Sequence, residues 1–185
     1  MMVKKDNQRV RLTKTLLKTS LIDLMQNKQI HKITIKELCA HAEINRSTFY
    51  LYYEDQFALL NEIEDDFLNH VKTHLIKIEH PSNDRNFLKE LLAYIKNNAQ
   101  IVRILLFRLE NLSFQTSFIS IAIDTLKLNL KYEYPNHLAD YIYRYLTMGC
   151  LSIIKKWIED DFTLSLDELS DLIFQLSDHA ASSYN

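Results

Sequence analysis

The segment from Thr34 to Tyr53 reads T-I-K-E-L-C-A-H-A-E-I-N-R-S-T-F-Y-L-Y-Y. Its first threonine and Glu37 form a T-x-x-E capping box, which predicts a short helix over residues 35–41. A tight turn follows, and Asn45 is a favourable N-cap for a second short helix. Short helices joined by such a turn are typical of a helix-turn-helix, whose second helix enters the major groove of DNA.

The outer side of the second helix carries side chains suited to DNA recognition. Phe49 is predicted to face inward, which leaves one arginine and several hydroxyls exposed. Arginine can bind guanine or phosphate with paired hydrogen bonds, and hydroxyls can bind phosphates or base edges. Basic residues near the N-terminus are placed to contact the DNA backbone. The predicted DNA-binding residues are Thr34, Ile35, Asn45, Arg46, Ser47, Thr48, Tyr50, Tyr52, Lys4, Lys5 and Arg9.

The distribution of charge agrees with a DNA-binding N-terminal region. Residues 1–53 contain ten Lys or Arg and four Asp or Glu, a balance of +6, whereas the remainder contains twelve and twenty, a balance of −8. A basic surface is typical of proteins that bind a polyanion, and phosphates repel an acidic surface. The alternative interpretation is an ordinary capped helix pair with a solvated basic surface.

The same segment resembles the TetR/AcrR family of bacterial regulators, and the resemblance extends over about residues 9–61. The family pattern is approximately T-x-x-x-I-A-x-x-A-G-V-x-x-x-x-x-Y-x-x-F, followed shortly by a basic residue and A-L-L. The positions that match this pattern are Thr34, Leu38, Ala42, Ile44, Tyr50, Tyr53 and Ala58-Leu59-Leu60.

Two positions depart from the family pattern. Glu43 replaces the turn glycine, so we expect either a different turn or a strained one that costs about 1 kcal/mol. Gln56 replaces the basic residue that in the family often contacts a DNA phosphate, and it lies beside Glu54 and Asp55. These acids weaken the prediction of a phosphate contact at that position.

The composition predicts an all-α protein. One Gly and two Pro among 185 residues are far fewer than the roughly twelve Gly and nine Pro of average usage. Apolar residues recur at helical spacing along most of the chain, which predicts about nine helices. We expect a homeodomain-like head of three helices over residues 1–53, and the resemblance implies a regulatory and dimerisation domain over residues 54–185.

Several helix boundaries follow from the apolar pattern and from helix-breaking residues. The first helix is predicted over about Arg9–Gln26, after a polar arm. Its inward-facing residues are predicted to be Leu12, Leu16, Leu17, Leu21 and Leu24. A long helix is expected from near Glu54 to about Glu79, and the H-P-S-N sequence of residues 80–83 ends it. The last two helices are predicted over about Asn136–Asp160 and Leu166–Ala180, the second of them opened by an S-x-x-E capping box.

The resemblance implies a homodimer in which the last two helices of each subunit form a four-helix interface. The only glycine of the chain, Gly149, is predicted within a helix, where glycine costs about 1 kcal/mol relative to alanine. Close approach of another helix would compensate for this cost; alternatively, a bulky neighbour in the same subunit packs on the glycine. The predicted interface residues are Gly149, Ile153, Trp157, Leu169 and Leu172.

The resemblance also implies a small apolar effector bound in the helical domain. Four aromatic residues are candidates for the lining of its cavity, although aromatic residues at helical spacing are more often plain core. These candidates are Tyr94, Phe107, Tyr141 and Tyr145.

No pattern of an enzyme active site is found in the sequence, which lacks H-E-x-x-H, a glycine-rich phosphate loop and C-x-x-C. Asp66, His70 and His74 follow at one-turn intervals, which is metal-ligand spacing, but no further ligand is evident. We therefore predict no metal and no cofactor. Cys39 and Cys150 lie in apolar contexts that favour buried, reduced thiols. The sequence contains no signal peptide or membrane-spanning segment, so we expect a cytoplasmic protein.

The combined hypothesis is a homodimeric transcriptional repressor that binds a near-palindromic DNA operator and is released by a small effector. The first alternative is a helical adaptor that binds other proteins through tyrosine-rich surface and lacks sequence-specific DNA binding. A helical enzyme is the second alternative, and no catalytic group of residues supports it.

Overall fold

A computed structural model describes the backbone of residues 2–76, 84–107, 112–129 and 134–183, and the side chains of residues 8–73, 88–106, 113–124 and 134–183. Within these ranges the secondary structure is nine α-helices and one short 3₁₀ helix, Ile30–Lys32, without a β-strand. This confirms the all-α prediction. The helices are α1 (Met2–Met25), α2 (Ile35–His41), α3 (Arg46–Tyr50), α4 (Gln56–Ile76), α5 (Asp84–Asn97), α6 (Ala99–Phe107), α7 (Leu112–Asn129), α8 (Asn136–Glu159) and α9 (Leu166–Ser182).

The chain divides into two compact units, Met1–Phe67 and Leu68–Asn185, and the boundary falls within α4. Each unit has its own apolar core. The predicted domain boundary after residue 53 separates a DNA-binding role from a regulatory role. It does not describe compact units, and it stays a prediction.

The first unit is built on a small core between its first three helices. α1 packs against α2, and α2 packs against α3. Leu21 of α1, Leu38 of α2 and Phe49 of α3 have no solvent exposure. Each such side chain contributes about 1.5–3 kcal/mol when it is removed from water. The inward position of Phe49, which was predicted, determines which side of α3 faces solvent.

α1 differs from its prediction in two respects. It begins at Met2, so the described residues of the expected polar arm are helical. Leu12 and Leu16 were expected in the core but are exposed, whereas Leu17 and Leu21 are buried. Because an α-helix turns by about 100° per residue, Leu16 points well away from the side that Leu17 buries.

The turn between α2 and α3 keeps a left-handed residue despite the absence of glycine. Glu43 has a φ of 55°. The Ile44 N–H donates to the Cys39 carbonyl at 2.9 Å, and the Glu43 N–H donates to the Ala40 carbonyl at 3.3 Å. These two hydrogen bonds form a Schellman motif, which places its C′ residue in the left-handed region. Of the two outcomes predicted for Glu43, the strained turn is correct.

The second unit is a bundle in which α8 packs against α6, α7 and α9, and α5 packs against α6 and α9. Its core consists of aliphatic side chains together with a few aromatic ones. The members with almost no exposure include Leu92, Val102, Leu105, Ile158 and Leu169.

Several predicted helix boundaries are confirmed. α2 has the predicted bounds, and α8 and α9 begin at the predicted Asn136 and Leu166. The capping box at the start of α9 is complete, because Ser165 and Glu168 exchange both hydrogen bonds. α4 begins at Gln56, close to the predicted start, whereas its predicted end and the break at residues 80–83 lie outside the described residues.

Candidate nucleic-acid interface

α3 presents a polar face to solvent. Phe49 fills the core, and Arg46, Ser47 and Tyr50 on the same helix are exposed. Thr48 is half-buried. Of the predicted contact residues that flank α3, Asn45 is exposed and Tyr52 is half-buried. The structure therefore leaves the polar atoms of the predicted recognition helix accessible to a ligand outside the chain.

The start of α2 contributes a second accessible position. The Thr34 side chain is exposed, and its Oγ1 accepts a hydrogen bond from the Glu37 N–H at 3.2 Å. A hydroxyl that accepts one hydrogen bond still has a proton to donate, so Thr34 can both cap α2 and bind a phosphate. The Glu37 carboxylate does not complete the predicted reciprocal box and instead pairs with Lys28. Ile35 is half-buried.

Asn45 occupies the predicted N-cap position of α3 and has the extended backbone of an N-cap residue. Its side chain makes no capping hydrogen bond. The amide is therefore available for a base or a phosphate, which is consistent with its place among the predicted DNA contacts.

The net charge of the first unit differs from the balance of residues 1–53. Residues 54–67 add six Asp or Glu and no Lys or Arg, so the whole unit holds ten of each and is electrically neutral. Phosphate binding therefore depends on where the cations lie rather than on the total. Five exposed basic residues form no ion pair with any described side chain: Arg9, Arg11, Lys32, Lys36 and Arg46.

Two other lysines are held by acidic residues of α4. Lys14 Nζ lies 2.8 Å from Glu62 Oε2. Lys18 Nζ lies 2.6 Å from Glu62 Oε1 and 2.6 Å from Asp66 Oδ2. We call these four residues the α1–α4 ion ladder.

The ion ladder shifts the titration of its central members. Burial alone would raise the pKa of Glu62, but the hydrogen bonds from Lys14 and Lys18 lower it below its ordinary value. Burial alone would lower the pKa of Lys18, but its hydrogen bonds to Asp66 and Glu62 raise it. Both groups are therefore charged at neutral pH, and the ladder is an ionic contact rather than a neutral hydrogen bond.

Sequence reasoning did not identify the ion ladder. Its signal is present, however, because the two lysines lie four residues apart on α1 and the two acids lie four residues apart on α4. Residues at this spacing share a helix face, so two doublets of opposite charge can meet where the helices pack side by side. Which acidic doublet meets which basic one depends on the packing of helices that are far apart in sequence.

The remaining predicted DNA contacts lie along α1. Arg9 is exposed. Lys4 and Lys5 belong to the same helix, but their side chains lie outside the described part of the structure. Their role stays a prediction.

The residues expected to line an effector cavity are not gathered in the interior. Tyr141 and Tyr145 of α8 are 75% and 71% exposed, so the expectation of an enclosed lining is wrong for them. They line an open surface groove of about 900 Å³ together with Met148 and Leu176. The cause is that α8 turns this side away from α6 and α7 and towards solvent.

The other two candidates for the effector cavity lie elsewhere. Tyr94 of α5 stacks on His70 of α4, with ring centroids 4.0 Å apart and planes inclined by 19°. The Phe107 side chain lies outside the described residues, as does that of His74. Among the described side chains, no group of three His, Cys, Asp or Glu could hold a metal ion.

Two of the predicted interface residues belong to the core. Trp157 is 2% exposed and donates its indole N–H to the Leu164 carbonyl at 2.8 Å, and Leu169 is 0% exposed. The interface prediction is wrong for both, because a residue buried within one subunit cannot contact a second copy. Leu172 is exposed and Ile153 is half-buried, so these two do reach the surface.

Gly149 is exposed on the same side of α8 as the groove. A Cβ added to it would meet no atom within 4 Å among the described residues. The alternative that a bulky neighbour of the same subunit packs on this glycine is therefore wrong within the described chain.

The free thiols fit the prediction only in part. Cys39 is buried, as expected, and burial raises its pKa. Cys150 is half-buried beside the Ser177 hydroxyl, at 3.6 Å. Among the described helices, none has the combination of length and hydropathy that crossing a bilayer requires.

Comparison with known proteins identifies the family. Residues 82–179, more than half of the chain, match the TetR-family model described as "Transcriptional regulator C-terminal region". The chain is 37% identical over 57 residues to the HTH-type dhaKLM operon transcriptional activator DhaS of Lactococcus lactis, an alignment that covers 30% of each protein. In the curated relatives that it matches, the chain spans less than a third of their length.

Solved structures share the fold over nearly the whole chain. A TetR transcriptional regulator from Streptococcus agalactiae matches with a TM-score of 0.68 and 23% identity, over 96% of this chain and 99% of that one. FadR from Bacillus subtilis, solved in complex with stearoyl-CoA, matches with a TM-score of 0.67 and 12% identity, over 88% and 96% of the two chains. These matches are to regulators of transcription and not to enzymes. The chain belongs to the TetR family of transcriptional regulators.

Proposed function

We propose that the protein is a homodimeric repressor that binds a near-palindromic operator and leaves it when a small apolar molecule binds the second unit. The observation that carries the proposal is the exposed polar face of α3. On this face Arg46 is exposed and forms no ion pair with a described residue, while Phe49 beneath it is fully buried. A buried anchor under an exposed arginine gives a short helix a fixed orientation for reading base edges.

The DNA contacts that we propose are those of the predicted interface. Arg46 and Tyr50 lie on α3 and Tyr52 follows it, and these three are assigned to base edges or phosphates. A well-placed bidentate contact discriminates against the wrong base by about 1–3 kcal/mol. In a dimer the two copies of α3 are expected about 34–36 Å apart, so that they enter successive major grooves on one side of the duplex.

The proposed dimer contact is the exposed apolar surface of α8 and α9. Tyr141, Tyr145 and Met148 of α8 and Leu172 and Leu176 of α9 are all exposed. Large apolar side chains grouped in this way are typical of an interaction surface. A second copy is the proposed occupant, because Gly149 opens this surface to the close approach of another helix and the family comparison supports a regulator that dimerises.

The proposed effector is a small apolar molecule that binds one state of the second unit better than the other. A ligand with equal affinity for both states shifts nothing, so the difference in affinity is what releases DNA. FadR of Bacillus subtilis was solved with stearoyl-CoA, so compounds with a long acyl chain, whose hydrocarbon is apolar, are the first candidates to test. α4 is the proposed route of the signal because it contributes residues to both units.

The direction of regulation has a separate test, because the relative DhaS is named as an activator. Deletion of the gene is expected to raise transcription of its target if the protein is a repressor, and to lower it if the protein is an activator. A reporter fused to the proposed target promoter distinguishes the two. We place the protein in the cytoplasm, where a bacterial chromosome is accessible to it.

The central experiment is a gel-shift titration with DNA from upstream of the protein's own gene, at several salt concentrations, against non-operator DNA of equal length. A regulator is expected to bind the upstream DNA at least 10³-fold more tightly, and its affinity should fall steeply with salt (about 10³–10⁵ between 50 and 200 mM for six to ten phosphate contacts). Binding of both DNAs with equal, low affinity would favour the adaptor.

Arg46→Ala sharpens this experiment. We expect it to weaken operator binding by about 1–3 kcal/mol, or roughly 5- to 150-fold, and to relax base preference at one position of each half-site. Lys72→Ala is the matched control, because it removes one positive charge from an exposed position of α4 in the second unit. Equal effects of the two substitutions would remove Arg46 from the recognition surface.

A further inference from the structure

Lys14 is the member of the ion ladder that also meets the aromatic residues at the end of α3. Its Nζ, which Glu62 binds at 2.8 Å, lies 5.2 Å from the centre of the Tyr53 ring and 6.0 Å from that of Tyr52. The two rings touch edge to face, with centroids 6.5 Å apart. A single ammonium therefore links a carboxylate of α4 to the residues that follow α3.

The two tyrosines differ in what fixes them. Tyr53 is buried, and its ring packs against that of Phe49, with centroids 5.7 Å apart. Burial, together with the nearby negative charge of Glu62, raises the pKa of Tyr53, which therefore remains neutral. Tyr52 is half-buried and is placed by the edge of Tyr53 and by the ammonium of Lys14.

The ion pair with Glu62 fixes the position of the Lys14 ammonium. A lysine side chain has four rotatable bonds, so without an anchor the ammonium samples many positions in water. With the anchor it stays over the rings, where a cation stabilises an aromatic face by about 0.5–1 kcal/mol when exposed. The same anchor withholds one lysine of α1 from DNA phosphates.

We propose that Glu62 is a positioning residue for DNA recognition: it holds Lys14 over Tyr52 and Tyr53, fixes the end of α3, and prevents Lys14 from binding phosphates without regard to sequence. This inference rests on the proposed contact of Tyr52 with DNA. It adds a residue of α4 that touches no DNA but sets the ratio of operator binding to non-operator binding.

Glu62→Gln is expected to have two effects on DNA binding. The Tyr52 ring loses its charged support, which weakens operator binding. The released ammonium and the lost negative charge strengthen binding to any DNA. Only the first effect lowers the ratio of operator affinity to non-operator affinity, because the second acts on both DNAs alike, and we expect a decrease of roughly two- to fivefold.

Asp66→Asn is the matched control. It removes the same unit of charge from the same ion ladder, yet Lys14 keeps its bond to Glu62 and Lys18 keeps its other carboxylate. We expect this variant to change the operator to non-operator ratio by less than about twofold, since a general loss of one negative charge acts on both DNAs alike. An equal decrease in Glu62→Gln and Asp66→Asn would overturn the proposal, as would an unchanged ratio in Glu62→Gln.

A second variant tests the route through Lys14. Lys14→Met keeps the hydrocarbon stem but removes the ammonium, so the ratio should fall, and adding Glu62→Gln to it should produce no further fall. Independent, additive effects of the two substitutions would refute the route through Lys14. Thermal unfolding of each variant shows whether the head remains folded. If Glu62→Gln unfolds, the affinity ratio of a folded Lys14→Met protein still tests whether the Lys14 ammonium supports operator binding. If the wild-type protein fails to distinguish operator from other DNA, the proposed function fails rather than this inference.

Discussion

Glu43 occupies a backbone conformation that costs an L-residue free energy. Its φ of 55° lies in the left-handed region, where a side chain crowds the following carbonyl. Glu43→Gly removes this strain, and we expect the free energy of unfolding to rise by about 0.5–1 kcal/mol after the larger backbone entropy of unfolded glycine is subtracted. Urea unfolding monitored by circular dichroism measures the change.

The comparison variant for this position is Glu43→Ala, which deletes the carboxylate but keeps the Cβ and therefore the strain. We expect it to be less stable than Glu43→Gly. If alanine and glycine prove equally stable at this position, the left-handed turn is not strained and the departure from the family glycine has no energetic consequence.

Glu62 makes the stability of the protein depend on pH. Its folded pKa is lowered below the ordinary value of 4.5, since its hydrogen bonds to Lys14 and Lys18 outweigh its burial. A depressed carboxylate stabilises the folded state above its unfolded pKa and loses this contribution as pH falls through its folded pKa. The wild-type protein should therefore exceed Glu62→Gln in stability by roughly 1 kcal/mol or less at neutral pH, because the pair is partly solvated.

The measurement for Glu62 is the difference in unfolding free energy between the wild-type and Glu62→Gln proteins, followed from pH 7 downwards. We expect a constant difference at neutral pH that shrinks once the pH falls below about 4.5. A difference that stays the same at every pH would show that the substitution acts through packing and not through the charge of the ion ladder.

At the scale of elements, the start of α9 depends on its capping box. The Ser165 Oγ accepts from the Glu168 N–H at 3.2 Å, and the Ser165 N–H donates to the Glu168 carboxylate at 2.8 Å. Ser165→Ala removes the first of these bonds, and we expect a loss of about 1 kcal/mol in the free energy of unfolding. Ser182→Ala, near the other end of α9, should change it by less than about 0.5 kcal/mol. Equal losses, measured at one protein concentration, would contradict a special role of the N-cap.

The end of α8 is fixed by residues from another helix. The guanidinium of Arg103 on α6 donates to the Ile158 carbonyl at 2.7 Å and lies 3.1 Å from the Asp161 carboxylate. Phe162 has a φ of 61°, and its ring packs edge to face with that of Trp157, with centroids 4.8 Å apart. A basic side chain at the last carbonyls of a helix satisfies groups that the helix itself leaves unpaired. The corner before α9 is therefore a property of the bundle and not of α8 alone.

For the whole molecule, Gly149 tests the proposed dimer. Gly149→Phe places a ring where the Cβ position is open within one subunit, so the isolated chain should tolerate it. If a second copy packs there, we expect the dimer dissociation constant to rise roughly 5- to 150-fold, an overpacking cost of about 1–3 kcal/mol. Sedimentation velocity over a range of concentrations measures this constant.

Two further variants separate a loss of contact from a general effect. Glu90→Phe adds the same ring to an exposed position of α5 and should leave the dimer intact. Gly149→Ala should raise helix stability by about 1 kcal/mol in a free subunit. A wild-type protein that is monomeric at every concentration, or a dimer that Gly149→Phe leaves unchanged, would exclude this surface as the interface.

Local interactions account for what the sequence predicted well. Thr34 caps α2, Ser165 caps α9, and the bounds of α2 follow from hydrogen bonds between residues three or four apart. The left-handed turn at Glu43 belongs to the same class, because its two bonds join residues three and five apart. Such interactions depend on the order of a few neighbouring residues, and so they can be read from a short segment.

The packing of distant segments accounts for what only the tertiary structure decided. Lys14 pairs with Glu62, 48 residues away, whereas Arg46 forms no ion pair with a described side chain. Tertiary packing also decides the exposure of two aromatic residues on α8. The bundle buries Trp157 and leaves Tyr141 exposed. A helical pattern fixes which residues share a face, but the partner that covers each face is chosen by the fold as a whole.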